Sequence, residues 1–138
     1  MTTTIRPELS RKNRYWIEKH RYYELKHFCM QYPGWKRLLQ TINSLPTRSS
    51  ELIFREGSEF SDPTSKSAEL RELYIRRIEM VEKAARDTDP IIGMDILQGV
   101  TQGIGYDILK ARIDIPCCKE AYYELYRKFF WLLDKARQ

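Results

Sequence analysis

No stretch of this 138-residue chain approaches the roughly 18 consecutive apolar residues of a membrane-spanning helix. The first residues, MTTTIRPELS, also lack the apolar core of a secretory signal. Cysteine is scarce: Cys29, Cys117 and Cys118 make an odd count with two neighbours. Adjacent residues rarely meet disulfide geometry, so a reduced, cytoplasmic setting is expected. The only two histidines are His20 and His27. His27-x-Cys29 does not put two side chains on one helix face, and there is no C-x-x-C. No metal or other cofactor is therefore expected. The glycines of GVTQGIGYD do not have the G-x-G-x-x-G spacing and follow no strand, which leaves capping and turn-making as their role. Cys29 with His27 or His20 lacks the strained turn and orienting partner of a nucleophile. The acidic residues fall in helix surface pairs. The chain is not expected to be an enzyme. No internal repeat is visible either.

The composition is that of a globular protein, 42% hydrophobic and 31% charged. The length suits one domain with a real core. Net charge is +5, unevenly spread. Residues 1–48 hold ten Lys/Arg against three Asp/Glu, residues 49–98 seven against eleven, and residues 99–138 seven against five. A basic first third beside an acidic middle suits either a polyanion-binding surface or internal charge pairing. A merely solvated basic face is the plainer reading.

The apolar spacing is helical almost throughout. Ser10 can cap a helix from about Arg11 to Met30, with Trp16, Ile17, Tyr23, Leu25 and Phe28 as apolar positions. Gly34 to Ser44 reads as a shorter helix with Trp35, Leu38, Leu39 and Ile42 as its stripe. Residues 49–62, rich in Ser with Gly57, read as a loop. Asp62-Pro63 starts the longest helix, to about Asp87, with Glu72–Arg76 and Glu79–Lys83 as i,i+4 pairs. Asp89-Pro90 restarts the chain, and IIGMDILQGVTQ runs to Gly103. Tyr106 to Ile113 and about Cys118 to Ala136 complete the set. The expectation is one all-α domain over 1–138: basic aromatic helices in 1–48, the 49–62 loop, the 63–88 long helix, and a 90–138 region closing the bundle.

That last region holds two helices about a break at Asp114-Ile115-Pro116. A helix-turn-helix needs a short helix, a tight turn, and a second helix with one apolar and one polar face. Asp114 can take the left-handed residue of the turn, and Ile115 can plug the core. Steps of about 100° put Cys118, Tyr122, Leu125, Phe129, Leu132 and Ala136 on one face. Lys119, Tyr123 and Arg127 then point elsewhere, able to reach phosphates or base edges. Glu120 and Glu124 share that side and oppose phosphate. FFWLL at 129–133 is apolar all round, so another helix or a partner must cover Phe130 and Trp131. A plain bundle hairpin without a ligand fits the same pattern.

The stretch GIGYDILKARIDIPCCKEAYYELYRKFFWLL resembles the tail of small phage and prophage regulators of Firmicutes, which in turn resembles region four of sigma factors. The residues that carry the likeness are Tyr106, Ile108, Ile113, Ile115, Tyr122, Tyr123 and Arg127. SDPTSKSAELRELYIRRIEMVEKAA is similar to the long helix of the same regulators. Lys110 and the long PCCKEA turn depart from their pattern. The resemblance implies a phage- or mobile-element-derived transcriptional regulator acting on double-stranded DNA, with a sigma-like C-terminal helix-turn-helix. Lys119, Tyr123 and Arg127 would contact DNA from the second helix, and Tyr106 and Lys110 from the first. Arg11, Lys12 and Arg14, in the cation-aromatic run RKNRYWIEKHRYYELKHF, would add a phosphate patch. RNA polymerase or another phage or host protein, and a second copy of the chain, stand as further partners. The competing expectation is a helical protein–protein adaptor or assembly protein, with FFWLL and the N-terminal aromatics as its interface.

Overall fold

The structure is a computed structural model that describes residues 12–44 and 63–138. The Ser10 cap, Arg11, Asp62 and the 49–62 loop lie outside the described residues. Six α-helices and no strands are present among those described. They are α1 (Lys19–Met30), α2 (Tyr32–Ser44), α3 (Pro63–Thr88), α4 (Gly93–Gln102), α5 (Tyr106–Arg112) and α6 (Lys119–Ala136). No helix among these residues is long and apolar enough to cross a membrane.

The helix ends follow local chemistry. α1 begins eight residues later than the sequence suggests because two side chains turn the chain first. Asn13 Oδ1 accepts from the Tyr15 amide at 2.9 Å, and Glu18 caps α1 by accepting from the His20 and Arg21 amides at 3.0 and 3.2 Å. Those bonds to the charged form lower the Glu18 pKa, the His20 amide foremost. Pro33 does not delay the next helix. It sits in the first turn of α2, where its missing N–H is not needed. Asp89 Oδ1 accepts from the Ile91 and Ile92 amides, both at 2.8 Å, and leads the chain into α4. Gly103 ends α4 at φ 68°, the left-handed conformation that favours glycine.

Where the sequence suggests one domain, the chain's contacts form two compact units. Pro33–Glu79 make one. In it Trp35 is buried and the Arg77 guanidinium lies 5.7 Å from its ring centre. Leu38, Leu70 and Leu73 remain exposed. The Glu72–Arg76 pair forms there.

The other unit takes in the residues up to Tyr32 and Met80–Gln138. It is a helical bundle built on α6. Helices α1, α4 and α5 all pack on α6, and α1 packs on α4. Lys83 pairs with Asp87 rather than Glu79. The core holds Tyr22, Leu25 and Cys29 from α1, Val81 and Ala85 from α3, and Ile96 and Leu97 from α4. Leu109, Ile115, Tyr122, Phe129, Phe130 and Leu133 complete it. Each large apolar side chain fully withdrawn from water contributes roughly 1.5–3 kcal/mol. Burial at 22, 25 and 29 shows that α1 turns Tyr22 inward, not Tyr23, which is half-buried.

Gly93 lets α4 start against α3. A Cβ there would sit 1.8 Å from the Ala85 carbonyl oxygen, so only a residue without a side chain permits this approach.

Candidate nucleic-acid interface

The break between α5 and α6 is extended. Ile113 has φ −134° and ψ 155°, and no non-glycine residue among those described has positive φ. Asp114 therefore supplies no left-handed turn. Ile115 does plug the core, being 1% exposed. α5 packs on α6, and the first turn of α5 is tied twice to the beginning of α6 and the residues just before it. The Tyr106 amide donates to the Tyr123 hydroxyl at 3.1 Å, and the Tyr106 hydroxyl donates to the Cys117 carbonyl at 2.6 Å. An exposed pair, Lys119–Asp107 at 3.1 Å, joins the first turns of the two helices.

These bonds correct two assignments. Tyr123 and Tyr106, expected to reach DNA, are both 6% exposed. The inward face of α6 carries Tyr122, Tyr123, Tyr126, Phe129, Phe130 and Leu133. It is wider than the 118/122/125/129/132/136 face and rotated from it. Leu125 and Leu132 are only half-buried, and Cys118 and Ala136 are exposed. Helix spacing alone did not decide this, because α6 has apolar or aromatic residues on most sides. The phenols stack edge-on within the core: Tyr122–Tyr123 centroids are 5.1 Å apart and Tyr126–Phe130 4.9 Å. The Tyr22 and Tyr126 hydroxyls share a hydrogen bond of 2.6 Å. Burial first, then the neighbouring Tyr22, pushes the Tyr126 phenol well above its ordinary range. Tyr106 and Tyr123 tie the two helices together and are withdrawn from the outer face of α6; both line a cleft beside α1.

The remaining cations stay at the surface. Lys110 and Lys119 are exposed, and Arg127 is half-buried. Lys110 lies over the Tyr106 ring, 5.7 Å from its centre, and hydrogen bonding to Tyr106 raises its pKa. Arg127 Nη1 donates to Glu124 Oε2 at 3.0 Å. The same carboxylate oxygen accepts from Asn13 Nδ2 at 3.5 Å, across 111 positions of sequence. The turn that holds Lys12 and Arg14, both exposed, is thus joined to α6 beside Arg127. Arg11 lies outside the described residues.

A second tie runs further along α6. Tyr15 meets Trp131 edge-on at 5.4 Å. The Arg14 guanidinium lies 4.9 Å from the Tyr15 ring centre and the Lys135 ammonium 3.4 Å from that of Trp131. The result is a pair of rings set edge-on, Tyr15 and Trp131, flanked by one cation on each side, Arg14 and Lys135. Phe130 is fully buried by the chain itself. Phe130 is thus covered from within this unit, while Trp131 stays half-buried beside Tyr15.

Some N-terminal charge is used internally. Arg21 pairs with Asp134 at 2.6 Å and with Glu24 at 2.9 Å. Its hydrogen bond to Asp134 raises its pKa. Asn13 and Lys135 carry no signal in the sequence, because nothing in local spacing links residue 13 to residue 124 or Lys135 to the ring of Trp131. Among the described residues no group of three or more His, Cys, Asp or Glu side chains is placed to hold a metal ion.

Comparison with protein-family models, with curated proteins and with solved structures finds no match to this chain.

Proposed function

We infer that the chain is a double-stranded DNA-binding transcriptional regulator, derived from a phage or another mobile element, in which α5 and α6 act as a helix-turn-helix. The observation that carries this reading is the junction at Glu124. Through Asn13 it brings the Lys12 and Arg14 turn against α6 beside Arg127. Cations far apart in sequence then gather beside Arg127 on α6, whose first turn carries the exposed Lys119. Such an arrangement suits a phosphate backbone, whose binding scales with the number of cations in contact. The short α5 and the buried Ile115 support the helix-turn-helix assignment, as does the resemblance of this stretch to phage regulators. The acidic partners of Lys119 and Arg127 do not oppose it strongly. Exposed pairs of this kind contribute only about 0.2–1 kcal/mol and can re-partner with phosphate.

The contacts assigned are Lys119 and Arg127 from α6, Lys110 from α5, and Lys12 and Arg14 from the N-terminal turn. The test is fluorescence anisotropy of a labelled random duplex of about 30 base pairs at about 50 and 200 mM salt. Binding is expected to weaken steeply with salt, and to be lost in an Arg127→Glu/Lys119→Glu double variant with an unchanged circular dichroism spectrum. No binding at micromolar protein in the lower salt overturns the reading. The adaptor reading then takes its place. One observation favours it: the exposed Leu38, Leu70 and Leu73 of the Pro33–Glu79 unit.

A further inference from the structure

A cleft of about 180 Å³ opens where the α4–α5 turn meets α1 and α6. Lys26, Gly103, Gly105, Asp107, Lys119 and Tyr123 are among its lining residues. Three features of it are unexplained by the packing. Lys26, half-buried on α1, makes no ion pair or hydrogen bond among the described residues, although a half-buried ammonium ordinarily finds a partner. Tyr123 is more than nine-tenths buried, and its oxygen accepts the Tyr106 amide. Its own phenolic proton meets no acceptor among the described residues. Gly105 keeps that hydroxyl reachable, since a Cβ at 105 would stand 3.1 Å from it. The third feature is Lys119, whose only ion pair among the described residues is the exposed one with Asp107.

We propose that this cleft is a phosphate seat, in which Lys26 and Lys119 supply the positive charge and the Tyr123 hydroxyl donates a hydrogen bond. Two ammonium groups and one buried hydroxyl approach from α1 and α6. A tetrahedral phosphate accepts from several directions at once, and charge-assisted donors hold it best. Asp107 gives up Lys119 on binding. The source is either a backbone phosphate of bound DNA or a free phosphorylated ligand. In the first case the seat rests on the regulator reading and extends its footprint to Lys26; in the second it stands alone.

The test uses the full chain and two arms. In the first, ¹H–¹⁵N spectra follow a titration with inorganic phosphate to about 50 mM against sodium chloride of equal ionic strength. Saturable shifts at the Gly103, Gly105 and Tyr123 amides are expected with phosphate and not with chloride. Lys26→Gln should weaken them at least about fivefold, and Lys26→Arg should retain them. In the second arm, duplex DNA binding is measured for the same variants across a salt series. Lys26→Gln should flatten the dependence of log affinity on log salt by about one unit if the phosphate comes from DNA.

Saturation by phosphate with no duplex binding supports the seat for a free ligand and removes the regulator reading. A flattened salt dependence supports the seat for DNA even where free phosphate does not saturate. Duplex binding that Lys26→Gln leaves unchanged, together with no saturation by phosphate, overturns the seat and leaves the regulator reading in place. Absence of both phosphate and duplex binding overturns both.

Discussion

If the chain binds duplex DNA as proposed, replacing Glu124 with glutamine should tighten that binding. Glu124 Oε2 holds Arg127 at 3.0 Å, and its side chain is 47% exposed beside an arginine only 18% exposed. The carboxylate therefore both occupies a phosphate-seeking cation and repels phosphate itself. Glutamine keeps an oxygen that can accept from Arg127 and Asn13, so the turn at residues 12–15 stays in place. The loss of an i,i+3 ion pair costs about 0.3–0.5 kcal/mol, too little to unfold the domain. The gain is set by one additional cation able to meet phosphate. Each phosphate contact contributes about 0.9 to the slope of log affinity against log salt. One more contact is then worth about 3.5-fold over a fourfold change in salt. Loss of repulsion adds to this, for an expected gain of about 4- to 10-fold at about 50 mM salt. Anisotropy titrations of wild type and Glu124→Gln at several salt concentrations read both the affinity and the slope. Equal or weaker binding by the variant, at unchanged circular dichroism and melting temperature, would refute the placement of Glu124 and Arg127 at the DNA.

The remaining predictions concern the frame that holds this site. Gly93→Ala should cost about 3 kcal/mol or more, because its Cβ would meet the Ala85 carbonyl oxygen at 1.8 Å. Gly34→Ala, whose nearest neighbour is the Arg37 side chain at 3.9 Å, should gain about 0.5 kcal/mol; urea unfolding reads both, and equal effects would contradict the packing. Thiol modification should be fast at the exposed Cys118 and should reach Cys29 only on unfolding, since Cys29 is fully buried and that burial raises its pKa. Rapid labelling of all three cysteines in the native protein would contradict this. Burial raises Tyr122 and Tyr126 above the ordinary phenol value of 10.0. Their neutral forms therefore contribute stability that is intact below about pH 10 and lost as pH climbs toward the folded values. Urea midpoints should fall above about pH 10, with phenolate absorbance from these rings appearing only as the chain unfolds; ionisation of all nine tyrosines in a folded protein would refute it.

Most helices were legible because their ends are chemical. Gly103 ends α4 as its residue type suggests, and Asp89 leads the chain into α4, which begins at Gly93, two residues later than the pattern suggests. Ile115 was legible as a plug for the same reason: an apolar residue between two breaks has nowhere else to go. The α1 start was not, because Glu18 is an ordinary helix-surface residue by composition. Only the folded chain shows its carboxylate turned back on two amides. The misplacement of Tyr123 has a different cause. On α6 the residues Tyr122, Tyr123, Tyr126, Phe129, Phe130 and Trp131 fill nearly every direction, so a 100° count finds several equally apolar faces. What chooses among them is the partner surface, here α1, α4 and α5, which no window on α6 contains.

The same reasoning bears on function. A tyrosine on an amphipathic helix serves equally as a base-stacking ring or a core ring, and its hydroxyl decides little from sequence. In this fold Tyr106 and Tyr123 bond between α5 and the start of α6, so the outward-facing side chains near the start of α6 are charged rather than aromatic. Cations without deep burial recognise charge density and not base sequence. Under the regulator reading proposed above, discrimination between DNA sequences by α6 would come from Lys119, Glu120, Glu124 and Arg127, of which the first and last face phosphate as readily as a base edge. If Glu124→Gln tightens binding to random duplex, the carboxylate acts as a brake on non-specific attachment. A regulator benefits from such a brake, because its useful affinity is the ratio of specific to non-specific binding.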